Sequence, residues 1–88
     1  MSNPISSSSA AAPVAAYSQA VEAGDLVFVS GQIPLNPKNG ELVAETIEAA
    51  TAQSMSNVTR VLKAAGLGLE HVVKATVFLI DPGDYAGM

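Results

Sequence analysis

Cysteine is absent from the 88 residues, which removes disulfides, zinc–thiolate centres, iron–sulfur clusters and a thiol nucleophile together. Basic charge is scarce as well. Four Lys and Arg stand against eight Asp and Glu, for a net charge of −4. Gripping a phosphate backbone takes clustered cations that displace counterions, and Lys38, Arg60, Lys63 and Lys74 are spread along the chain. The charge pattern therefore argues against a nucleic-acid partner. The single histidine, His71, has only Glu70 beside it, which is no transition-metal set, so no metal site is expected. No stretch reaches the ~18 consecutive apolar residues of a membrane helix, so no membrane partner is expected either. No basic residue precedes Lys38, which leaves a secretory signal without its positive region and a transit peptide without its arginines. The expected location is the cytoplasm, ahead of the mitochondrion. Neither a P-loop nor a G-x-G-x-x-G is present, and nucleotide binding has no support.

What is there suffices for one small domain. Val, Ile, Leu and Phe supply 23 of the 88 residues, enough for a modest core. A chain this short buries only about 60–65% of the surface it exposes when unfolded, which makes a partner subunit valuable to it. Residues 1–12, dominated by SNPISSSSAAA, have low complexity and no periodicity, and are expected to form a disordered tail ahead of a domain at 13–88. Two short runs, Tyr17–Ala23 and Leu26–Ile33, flank the turn signal Ala23-Gly24-Asp25 and predict a β-hairpin. Pro34 ends the second run, and Asn36–Gly40 (NPKNG) is a loop.

Thr46 then suits an N-cap and Gly66 a C′ position, which predicts a helix over Ile47–Ala65. Ile47, Thr51, Met55, Val58, Leu62 and Ala65 form its expected buried stripe, with Asn57 among the polar residues outside it. Val72–Ile80 (VVKATVFLI) predicts a third strand, completing a right-handed β-α-β crossover. Asp81-Pro82 predicts the start of a second helix. The expected fold class is α+β, a two-layer sheet of hairpin plus β-α-β with one long helix on one face. The other sheet face, including Phe78 and part of Leu26–Val29, is left for a partner.

Few residues invite chemistry. His71 reads as a solvated loop histidine. A triad of Ser30, His71 and Asp81 can be written, but Ser30 lacks the glycine-flanked elbow of such nucleophiles. Glu41, Glu45 and Glu48 cluster near the helix start, where the helix dipole favours them without any catalytic role. Gly31 sits within a strand pattern, which marks a bulge or a close approach by backbone or ligand.

Tyr17-Ser18-Gln19-Ala20-Val21, followed by Leu26-Val27-Phe28-Val29-Ser30-Gly31-Gln32-Ile33-Pro34-Leu35, resembles the opening of the Rid family, the reactive intermediate deaminases or YjgF-like proteins. Asn36–Val43, Val72–Leu79 and Asp84–Met88 continue the likeness. The resemblance implies a chorismate-mutase-like α+β subunit, a homotrimer with a central barrel, and sites in the clefts between subunits. It implies hydrolysis of 2-iminopropanoate, 2-iminobutanoate and enamines such as 2-aminoacrylate to 2-keto acids and ammonia, without a cofactor. Carried over by position, it makes Tyr17 the catalytic residue and places Ser30 and Gly31 against the substrate. At Gly31 the missing Cβ lets a substrate reach the backbone N–H. For Tyr17 the site reading outweighs that of a core aromatic capping the hairpin, and Ser30 could equally be a strand serine bonded to backbone. The family's carboxylate-binding arginine, a helix asparagine and a glutamate have no counterpart up to Met88, and Arg60, on the first helix, is not that arginine. Ala15-Ala16 also stand where the family tends to have Gly-Pro before the tyrosine. The expectation is thus a C-terminally truncated family member, inactive by itself. The alternative is a non-catalytic module that binds small carboxylates or joins family trimers. RNA cleavage conflicts with the acidic charge.

Overall fold

The computed structural model describes residues 2–10 and 18–88, with the side chains of residues 2 and 3 left aside. Three antiparallel strands, β1 (Ser2–Ile5), β2 (Ala20–Ala23) and β3 (Leu26–Val29), lie in the order β1-β2-β3. One helix, α1 (Ile47–Ala64), packs on the sheet. The α+β class with a single long helix on one sheet face holds.

The hairpin forms where its turn residues require it. Ala23 pairs with Leu26 and Ala20 with Val29, so only Gly24 and Asp25 lie between the strands. Gly24 takes φ +60° while Asp25 does not go positive, the pattern of a type II′ turn, which matches the twist of the flanking strands. Alternation then divides the sheet. Ile5, Val27 and Val29 pack with Ala20 and Val61 of the core, while Leu26 and Phe28 face outward and are exposed.

Of the tail expected over residues 1–12, Ser2–Ile5 forms a strand, β1, instead. Ser2–Ile5 pairs with β2 in the register Ser2↔Ala23 to Ile5↔Ala20. Two apolar residues give this poor-looking segment something to bury, since Ile5 packs against the core and Ala10 is part of it. Polar groups then tie it down. The Gln19 carboxamide both accepts from the Ser7 N–H and donates to the Ser7 carbonyl, and Arg60 donates to the Ser9 carbonyl at 2.8 Å. Composition alone conceals this, because the partners lie in other elements.

The strand expected at Val72–Ile80 is also corrected: the segment has no regular secondary structure. Its propensity is intact, but a strand is stabilised by ladder bonds, and no described residue pairs with it. Among the described residues the β-α-β crossover is not formed, and β1 supplies the third strand of the sheet. Of the second helix, one 3₁₀ turn is seen at Pro82–Tyr85, with the Asp81 side chain accepting from the Gly83 N–H at 2.9 Å. No helix is long and apolar enough to cross a membrane among the described residues.

α1 keeps both expected ends. Thr46 accepts from the Ala49 N–H at 3.0 Å as N-cap. At the other end the Leu67 N–H reaches the Leu62 carbonyl and the Gly66 N–H the Lys63 carbonyl, a Schellman closure with Gly66 at φ +76°. A Cβ added to Gly66 would meet nothing within 4 Å, so the only obstacle to a side chain there is backbone conformation. Gly66→Ala is therefore expected to destabilise the fold by roughly 1–2 kcal/mol, and Gly66→Asn by less. Thermal melts at matched protein concentration check this.

Candidate functional site

The site candidate is the segment that carries the chain from β3 to the loop before α1. Its first anchor is Ser30. Beyond the end of β3, the Ser30 N–H donates to the Gln19 carbonyl at 2.9 Å, and its hydroxyl donates to the Ser18 carbonyl at 2.6 Å. The hydroxyl is thereby committed to backbone, as a strand serine would be, and holds the exit of β3 against the strand that precedes it. The Gln32 side chain folds back onto the Ser30 carbonyl at 3.2 Å.

Gly31 follows, exposed, with nothing within 4 Å of the position a Cβ would occupy. No described residue accepts from its N–H. Its φ is not positive, so the glycine answers no backbone demand of its own. Openness and an available donor are what the site reading of Gly31 requires.

The far end of the segment is held by a residue that sequence periodicity placed on the polar face. Asn57, fully buried on α1, donates through Nδ2 to the Leu35 carbonyl at 2.9 Å and to the Ile33 carbonyl at 3.2 Å. Its Oδ1 accepts from Gln53 Nε2 at 3.3 Å. The buried residues of α1 are Asn57, Val61 and Leu62, whereas Met55, expected in the stripe, is exposed. The signal was present in the spacing: Asn57 lies four residues before Val61, one turn along the same face. Pro34 and Leu35 are bound in turn to the loop, through Val43 N–H to the Pro34 carbonyl and a bridge between Leu35 and Leu42.

Tyr17 lies outside the described residues. His71 stands apart from the segment in sequence, at the end of a 3₁₀ turn (Leu69–His71), where its Nδ1 accepts from the Gly68 N–H at 3.1 Å. Glu70 Oε1 approaches the same Nδ1 to 3.7 Å. No group of three His, Asp or Glu able to hold a metal occurs among the described residues.

Residues 7–88 match the family described as Endoribonuclease L-PSP. The chain belongs to the Rid (YjgF-like) family. This Rid chain is 43% identical over 86 residues to the 2-iminobutanoate/2-iminopropanoate deaminase of Escherichia coli, covering 98% of the chain and 66% of that relative. A RutC family protein of Pyrococcus horikoshii is 46% identical over 76 residues, covering 86% of the chain and 60% of the relative. Among solved structures, RidA from an Antarctic Psychrobacter superposes with a TM-score of 0.91 at 39% identity, covering 97% of this chain and 68% of that one. The yeast protein YEO7 superposes at 0.93 with 37% identity, covering 98% and 68%. The Rid chain thus spans about two thirds of the length of these relatives.

Proposed function

We propose that this Rid chain supplies the hairpin side of a cofactor-independent deaminase site for small 2-imino and enamino acids, within a cytoplasmic homotrimer. The observation that carries the reading is the 43% identity across 98% of the chain to a deaminase whose name states those substrates. The geometry is compatible with it: an exposed glycine with an available N–H, held between a serine anchor on one side and an asparagine anchor on the other.

The chemistry is modest. Water adds to the C2 carbon of the protonated imine, the tetrahedral carbinolamine loses ammonia, and a 2-keto acid remains. An enamine first takes a proton at C3. The Gly31 N–H donates to the bound acid and fixes its plane. Ser30 keeps that N–H in place through its bond to Ser18. Family likeness makes Tyr17 the catalytic residue. Holding imine and water in attack geometry is the main source of acceleration for so reactive a substrate. The alternative named by the family's description, cleavage of RNA, conflicts with the chain's net charge of −4.

The test joins residues 1–88 to the last third of the Escherichia coli relative and follows 2-iminopropanoate, generated in situ from serine by a dehydratase. Faster release of pyruvate, and less trapping by semicarbazide, is the expected result for the chimera. Residues 1–88 alone are expected to give none, and Tyr17→Phe in the chimera should slow the reaction. A chimera that folds without accelerating hydrolysis would overturn the reading in favour of a binding module.

A further inference from the structure

We propose that Asn57 is a positioning residue, which fixes the Ile33–Leu35 end of the segment and thereby sets how Gly31 is presented to the bound acid. The inference rests on the deaminase reading for its substrate and adds a residue that makes no contact with it.

Asn57 occupies the middle of α1 with no exposed surface, a position where a leucine would fill the space with no polar group to satisfy. Instead both Nδ2 protons are spent outside the helix, on carbonyls 22 and 24 residues away in sequence, and both belong to one short turn. That turn is tight. The Ile33 carbonyl also takes the Leu35 N–H at 2.8 Å, and Pro34 between them has a fixed φ. Gln53, one helical turn earlier, donates to Oδ1 and so fixes which edge of the carboxamide faces the turn. At the near end Ser30 is pinned through both its N–H and its hydroxyl. Gly31 and Gln32 therefore hang between two anchors, one on the hairpin and one on α1. Gly31 has no side chain with which to hold its own orientation. Removing the α1 anchor leaves that end tied only to the loop, through the Val43 N–H on the Pro34 carbonyl and the Leu35–Leu42 bridge, with hairpin and helix in place.

The decisive variant is Asn57→Leu, which keeps the number and branching of the side-chain heavy atoms but deletes both donors. In the chimeric enzyme, KM for 2-iminopropanoate should rise about tenfold or more, because small misplacement of a binding group is costly. Val61→Ala is the control. It should lower the melting temperature by cutting into the same helix–sheet core, yet leave KM unchanged, since Val61 bonds to neither carbonyl. A second readout needs no activity. In residues 1–88, amide exchange of the peptide covering 30–35 should quicken in Asn57→Leu, while that of α1 stays slow. Should the leucine variant fail to fold, Asn57→Asp, near-isosteric but without the donors when ionised, gives the same two readouts. An inactive wild-type chimera would sink the deaminase reading alone, leaving exchange to decide the anchor. Wild-type KM in a folded Asn57 variant, or unchanged exchange at 30–35, would overturn the proposal.

Discussion

Gly31→Val is expected to leave the fold intact and to cost the chimeric enzyme about 100-fold or more in kcat/KM. The two halves of this expectation have separate causes. A Cβ at Gly31 meets no atom within 4 Å, and the backbone there is not in a glycine-only conformation, so valine strains nothing in this chain. Surface substitutions of that kind stay within about 0.5 kcal/mol. The loss arises in the space beside the strand, where the branched side chain stands between the substrate and the Gly31 N–H. Melting curves of the valine variant and its parent should overlay while their rates diverge. A stable variant with parental kcat/KM would remove Gly31 from the site.

The second large effect concerns association. The chain exposes 6241 Å², against roughly 4,800 Å² for a folded monomer of its mass. The excess exceeds the ~800 Å² that one partner contributes to a standard interface. Its chemistry is apolar. Phe28 is 60% exposed and Leu26 53% on the sheet face away from α1, and Phe78 is 92% exposed beside Val77 and Ile80. β3 also lies at the edge of the sheet, with no described strand on its outer side. Sedimentation of purified residues 1–88 at micromolar concentration should show oligomers, and Phe28→Lys together with Phe78→Lys should shift them toward monomer. A monodisperse parent that melts cooperatively as a monomer would contradict this.

Much of this architecture could be read from local chemistry. Thr46 and Gly66 bracket α1 because capping depends on the residue itself and its immediate neighbours. Gly24-Asp25 fixes the hairpin for the same reason. The misses all concern partners distant in sequence. Ser2–Ile5 became a strand because β2 offers it a ladder and the Gln19 and Arg60 side chains grip the residues that follow. Val72–Ile80, with stronger strand propensity, finds no such ladder among the described residues. Propensity proposes a strand, but only a neighbour makes one. Asn57 was misplaced because its polarity suggested solvent, whereas the carbonyls that satisfy it belong to another element. Within the site, Gly31 stands out as a glycine inside a strand pattern, and family likeness places Ser30 beside it against the substrate. The structure adds that the Ser30 hydroxyl is committed to backbone and that Gly31 is open.

The two-residue turn at Gly24-Asp25 also bears on the order in which the protein assembles. β2 and β3 are joined by the shortest connection in the sheet, so their pairing sacrifices little chain entropy. Bringing Val61 onto Ala20 closes a loop of about forty residues, which costs about 2 kcal/mol more than closing the hairpin. Hairpin and helix, each built from near neighbours, are thus the inexpensive events, with microsecond or faster clocks of their own. Docking one upon the other is the costly step. The rate of folding is accordingly governed by that encounter, and substitutions within the turn act mainly by changing how often a ready-made hairpin is waiting when the helix arrives.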